Sequence, residues 1–68
     1  MLLTYKLKGL DKYIVNVESK EVAAIVCLQH RIGVTPQDIE ETDINVPFMF
    51  MACIMDEESI NGIINISN

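Results

Sequence analysis

Residues 46–55 read Val46-Pro47-Phe48-Met49-Phe50-Met51-Ala52-Cys53-Ile54-Met55, and from Phe48 onward no side chain in the run is polar. No other stretch is as apolar, so the fold must be arranged around hiding it. An apolar run of this length fits a central strand or a short buried helix, and periodicity alone does not separate them. Two features favour the strand. Pro47 stands near the start, where a missing N–H is tolerated. Phe and Ile suit a pleated surface, and the flanks (Asp43, Asn45 and then Asp56 to Ser59) are turn or cap residues.

Alternation along such a strand puts Ile44, Val46, Phe48, Phe50, Ala52 and Ile54 on one face. Met49, Met51, Cys53 and Met55 share the other. Both faces are apolar, so both require cover, from the chain itself or from a second copy.

Working outward toward the N-terminus, Leu3, Tyr5 and Leu7 alternate with Thr4, Lys6 and Lys8, which predicts a half-buried strand. After Gly9-Leu10-Asp11, Tyr13, Val15 and Val17 alternate in the same way. The two strands form a hairpin in which Leu7 faces Tyr13, Tyr5 faces Val15 and Leu3 faces Val17. Ser19 is a good helix N-cap. The helix it opens is expected over 20–32, ended by Gly33. Its inner stripe is Val22, Ile25, Val26, Leu28 and Ile32; Ala23, Ala24 and Cys27 lie outside with Lys20, His30 and Arg31.

Thr35-Pro36-Gln37-Asp38 carries the cap, first-turn proline and acid of a helix start. A short helix over 36–41 is expected, and 42–45 leads into the central strand. The tail has two readings. Either 56–59 is a loop and 60–67 a returning strand with Ile64 and Ile66 inward, or Asp56 caps a helix with Ile60, Ile63 and Ile64 on one face. Isoleucine content and the weak helix propensity of the Asn residues and Gly62 favour the strand. The predicted fold is therefore α+β, one small domain over 1–68 with the order β-β-α-(short α)-β-β: an antiparallel sheet with one main helix on one face.

A chain of 68 residues buries only about 60% of its unfolded surface, so self-association is a natural supplement to its core. The charge is unevenly distributed. Residues 1–32 hold five Lys or Arg against three acids, net +2; residues 33–68 hold seven acids and no Lys or Arg, net −7. Such a half favours a basic partner and disfavours nucleic acid or an anionic membrane. The simpler reading is that these acids are solvated surface. Lys6, Lys8 and Lys12 on the hairpin have no stacking aromatic beside them, because Tyr5 and Tyr13 are predicted to face inward, so direct nucleic-acid binding is not expected. No export signal or membrane-length apolar run is evident. A cytoplasmic location with both thiols reduced follows as an expectation.

Catalytic patterns are weak. Cys27 and His30 are spaced to share a helix flank, and Cys53 could add a third ligand. Zinc asks for about four, and there is no CxxC and no second His. Glu40-Glu41 and Glu57-Glu58 are adjacent pairs whose side chains diverge. There is no Gly-rich phosphate loop. No cofactor, metal or enzymatic activity is expected.

The sequence thus predicts a non-enzymatic protein–protein interaction module. It self-associates as a dimer through Met49, Met51, Cys53 and Met55. It offers Asp38, Glu40, Glu41, Asp43, Asp56, Glu57 and Glu58 to a basic partner, which could itself handle nucleic acid, as small virus- or mobile-element-encoded inhibitors do by analogy. Two alternatives stand beside it: a structural subunit whose Met-rich face is a permanent interface, and a Cys/His metal or redox site.

Overall fold

The computed structural model describes residues 1–67. Strands β1 (Leu3–Leu7) and β2 (Lys12–Val17) are followed by helix α1 (Lys20–Gln29), a 3₁₀ turn (Pro36–Asp38), strands β3 (Ile39–Thr42) and β4 (Cys53–Asp56), and helix α2 (Glu57–Ser67). The four strands form one antiparallel sheet in the order β3-β1-β2-β4. The α+β class, the antiparallel sheet and the main helix on one face are as the sequence predicts. The last two strands and the tail are not.

The hairpin forms where expected, with Gly9 at φ 80 in its turn. Its pairing starts as predicted at Leu3 opposite Val17, then slips by one, so that Tyr5 faces Ile14 and Leu7 faces Lys12. The slip is a β-bulge. Asn16 lies in the left-handed region at φ 57, a conformation Asn tolerates better than most residues. The bulge reverses the parity of β2. Val15 points into one core layer with Tyr13, while Val17 points into the other with Tyr5, Leu7 and Ile14. A strand expected to bury one face therefore buries both.

Ser19 caps α1 as predicted, its Oγ accepting from the Val22 N–H at 3.3 Å. The helix ends three residues earlier than expected. Arg31 rather than Gly33 adopts the left-handed conformation, at φ 57. The Ile32 N–H donates to Cys27 O at 2.9 Å and the Arg31 N–H to Leu28 O at 3.1 Å, the double bond pattern of a Schellman closure. The buried face is also rotated from the predicted one. Ala23 and Cys27 are buried against the sheet, flanked by the half-buried Val22, Ala24 and Val26, while Ile25 and Leu28 face outward. Small side chains at positions i and i+4 let the helix approach the strands closely; the larger ones then fill the flanks.

The short helix predicted over 36–41 stops at Asp38. The Asp38 carboxylate turns back to accept from the Thr35 N–H at 3.0 Å and from Thr35 Oγ1 at 2.8 Å. Beyond it the chain extends and pairs with β1, Ile39 opposite Leu7 and Glu41 opposite Tyr5. Burial of Ile39 under α1 decides this segment against the helix propensity of its two Glu residues.

The predicted central strand is only partly a strand. Residues 43–52 cross the sheet as a loop, and pairing resumes at Cys53. Residues 57–67 are helical and not a returning strand. The Asp56 carboxylate accepts from the Ser59 N–H at 2.9 Å, and the Glu57 N–H donates to Asp11 O at 2.9 Å, tying the helix start to the hairpin turn. Ile60 is fully buried, with Ile64 packed beside it. The weak helix formers Asn61, Gly62 and Asn65 lie on the solvent side. Burying one large aliphatic side chain contributes about 1.5–3 kcal/mol, which offsets their propensity costs of about 0.5–1 kcal/mol each.

The result is a three-layer arrangement. Layer one is α1; layer two is the sheet; layer three is α2 together with loop 43–52. Both faces of the sheet are covered from within the chain.

Candidate interaction surface

Loop 43–52 alternates between burial and exposure for identifiable reasons. Val46 is buried among Tyr13, Val15 and Ile60, and Phe50 packs against the same cluster. Between them the Phe50 N–H donates to Pro47 O at 3.0 Å, closing a turn. The side-chain amide of Asn16 donates to Pro47 O at 3.1 Å and also to Phe50 O. The loop is therefore pinned at two carbonyls by one side chain. With Val46 and Phe50 held inward, Phe48, Met49 and Met51 point out and are 84%, 80% and 84% exposed.

Phe48 and Met49 each line a concavity. One, of about 460 Å3, is lined by Met1, Leu2, Asn16, Asn45, Val46 and Phe48. The other, of about 230 Å3, is lined by Pro47, Met49, Phe50, Ile63 and Ile66. Ile66 is itself 87% exposed. Large apolar side chains thus run from the N-terminal residues across the loop to the far end of α2. Single exposed apolar residues are ordinary; a contiguous group on a held loop is not.

The residues predicted for self-association are divided by this geometry. Met49 and Met51 are on the exposed loop. Cys53 and Met55 are on β4 and pack, half-buried, in the layer of the chain's own α2. The four do not share one strand face, because the chain is not a strand until Cys53.

The predicted acids are likewise divided. Asp38, Glu40, Glu41 and Asp43 belong to β3 and its ends, at one edge of the sheet; Asp56, Glu57 and Glu58 belong to the β4–α2 junction at the other. Part of their charge is met inside the molecule by the basic hairpin. Lys8 Nζ lies 3.8 Å from Glu40 Oε2, and Lys6 Nζ lies 3.7 Å from Glu57 Oε1. Tyr13 OH donates to Glu57 Oε1 at 3.2 Å, with Lys6 over its ring at 4.6 Å. Lys12 stands opposite Asp56 in the β2–β4 ladder. Solvent-exposed pairs of this kind contribute about 0–1 kcal/mol each, so they orient more than they stabilise. The carboxyls of Asp38 and Asp56 are held below their ordinary range. For Asp38 the Thr35 backbone N–H is the main cause, and for Asp56 that of Ser59, with the hydroxyls of the same residues second.

Asp56, Glu57 and Glu58 converge with Asp11, an acid of the N-terminal half, along an open groove of about 670 Å3 that Asn61, Gly62 and Asn65 complete. The hairpin turn brings Asp11 there through the Glu57 N–H bond, a placement that charge counting along the sequence missed. Asn16 was missed as well; its only signal was an Asn inside an otherwise alternating strand.

The Cys/His constellation does not assemble. Cys27 is buried in the α1 layer and Cys53 half-buried in the α2 layer, on opposite faces of the sheet, and His30 is exposed at the end of α1. Burial pushes both thiols up from their ordinary range, away from the thiolate that nucleophilic chemistry needs. Among the described residues no group of three or more His, Cys, Asp or Glu is arranged to hold a metal ion. No described helix is long and apolar enough to cross a membrane. No family model, curated protein or solved structure matches this chain.

Proposed function

We propose that this chain is a non-catalytic protein-interaction module that self-associates through the loop carrying Phe48, Met49 and Met51. One observation carries the reading: three large apolar side chains are held in water on a loop whose backbone is pinned by Asn16. A held loop has lost most of its conformational freedom before any partner arrives, so less entropy is lost on docking. Aromatic and Met side chains are the types enriched in the centres of interfaces. The buried, separated thiols and the solitary surface His30 support contact in place of catalysis.

Light scattering across a concentration series, at low and high salt, tests it. Apolar association predicts a mass above the monomer that persists at high salt. The double variant Phe48→Asp, Met51→Asp is expected to return the mass to the monomer with an unchanged circular dichroism spectrum. A wild-type mass that stays monomeric at every concentration removes the reading.

A second reading concerns the acids, and the groove joining Asp11, Asp56, Glu57 and Glu58 favours it. It offers a basic protein surface an open acidic seat, by which the module would regulate or inhibit a nucleic-acid-handling partner. Docking of that kind weakens as salt rises. Partner affinity that is indifferent to Glu57→Lys, Glu58→Lys at low salt would count against it.

A further inference from the structure

Six side chains carry sulfur, four Met and two Cys, and the fold sorts them into two classes. Cys27 is buried under α1, while Cys53 and Met55 are packed, half-buried, in the layer of α2. Met49 and Met51 stand out on the pinned loop, 80% and 84% exposed, and Met1 is 99% exposed. In an open chain a peroxide attacks cysteine before methionine, because the thiolate is the better nucleophile. Here burial reverses that order. Cys27 is shut off from solvent and Cys53 half so, and the same burial keeps both thiols protonated. The accessible thioethers are left to react first.

We infer that Met49 and Met51 are an oxidation site, and that their conversion to the sulfoxide by hydrogen peroxide releases the self-association proposed above, on which this inference rests. The step balances. The thioether sulfur attacks one peroxide oxygen, and the S–O bond forms as the O–O bond breaks. The hydroxide released takes the proton left on the new sulfoxide oxygen, so each event yields one sulfoxide and one water. Sulfur is oxidised by two electrons and the peroxide reduced by two.

The consequence follows from where the oxygen lands. A sulfoxide is polar where the thioether is apolar, and burying it in an apolar contact without a hydrogen-bond partner is unfavourable. The loop itself keeps its shape, because its anchors are elsewhere: Asn16 holds the Pro47 and Phe50 carbonyls, and Val46 and Phe50 are packed inward. The change is confined to the docking surface. Met49 and Met51 are covered in the associated form and open in the monomer, which the equilibrium always supplies. Oxidation therefore acts on the monomer and traps it there. Methionine sulfoxide reductases reverse the reaction, so the site works as a switch.

Hydrogen peroxide treatment of the wild-type protein tests this, with peptide mass mapping and light scattering on the same samples. At low protein concentration, oxygen is expected on Met49 and Met51 together with Met1, ahead of Met55, Cys27 and Cys53. At concentrations where the protein is associated, uptake at 49 and 51 is expected to slow. Oxidation of these two is expected to raise the dissociation constant by about tenfold or more with an unchanged circular dichroism spectrum. The two sulfoxide reductases, one for each epimer, are expected to restore it. Met49→Leu, Met51→Leu keeps an oxidisable Met1; measured against its own untreated sample, its dissociation constant is expected not to respond to peroxide. Oxygen found first on either cysteine overturns the site. Full oxidation of 49 and 51 with no change in mass overturns the switch while loop association stands, as does a response that the Leu double variant retains. A mass that falls only along with the circular dichroism signal also overturns the switch, by showing damage to the core. Uptake at 49 and 51 that is equally fast in the associated form overturns both proposals, as does a protein monomeric at every concentration before treatment.

Discussion

Asn16 donates its side-chain amide to the carbonyl oxygen of Pro47 at 3.1 Å across 31 positions of sequence. It is a bulge residue on β2 at φ 57 and the anchor of the exposed loop at once. Removing its side chain separates those roles. Asn16→Gly keeps the left-handed backbone and loses the amide. It is expected to destabilise by about 0.5–1.5 kcal/mol, the net contribution of a hydrogen bond, since the Pro47 carbonyl keeps the Phe50 N–H, and to sharpen loop signals into those of a mobile segment by NMR relaxation. A urea midpoint unchanged from wild type would remove Asn16 as the anchor.

The docking of α2 rests on Ile60, which is fully buried. Ile60→Ala is expected to cost about 2–5 kcal/mol and to reduce the helical circular dichroism signal at temperatures where the hairpin still holds. Ile66→Asp, on the exposed part of the same helix, is expected to change stability by less than about 0.5 kcal/mol. Equal effects from the two would mean that α2 does not dock through Ile60.

Arg31 closes α1 in a conformation that L side chains adopt at a cost. Arg31→Gly is expected to stabilise the protein by about 1 kcal/mol, since Gly enters this region without strain and the Ile32 and Arg31 backbone bonds are kept. Thermal unfolding checks the sign; a lower midpoint would show that the guanidinium matters more than the strain.

Asp38 and Asp56 both ionise more readily in the folded chain than their ordinary value of 3.8. A carboxyl depressed by folding stabilises the native state at pH values above its unfolded pKa. That contribution falls away as the pH drops from the ordinary value toward and through the folded one. Stability is therefore expected to decline below about pH 4. Asp56→Asn is expected to flatten that decline by removing one of the two groups. An NMR titration in which both carboxyls sit at or above the ordinary value would contradict the capping bonds.

Several elements were legible because the interactions that form them are short in sequence. Ser19 caps through Val22 and Thr35 engages Asp38, each three residues on; the Asp56–Ser59 bond is as short, but the tail it opens reads as a strand. The hairpin followed from alternation on either side of Gly9-Leu10-Asp11, though its register beyond Leu3 did not. The interaction surface was half legible. Met49 and Met51 were marked by their apolar run, but Phe48 was assigned to the opposite, buried face, and the acids were gathered into one patch that the sheet splits between two edges.

The amino-acid sequence by itself determined where α1 and the 3₁₀ turn begin, through side-chain bonds over three residues, and it determined that the 46–55 run needs cover. Tertiary structure decided what the run became. A continuous apolar run fits strand, loop or helix equally well locally, and the choice depends on groups far away. Asn16 takes the carbonyls of Pro47 and Phe50, so this part of the run stays a loop. Leu7 and Tyr5 recruit Ile39 and Glu41, so an acidic segment becomes a strand. Tyr13 and Val15, turned to their face by the bulge at Asn16, give Ile60 a place to be buried, so a tail rich in Asn becomes a helix. For Ile39 and Ile60 the burial offered by the sheet outweighed a local propensity worth about 1 kcal/mol or less per residue.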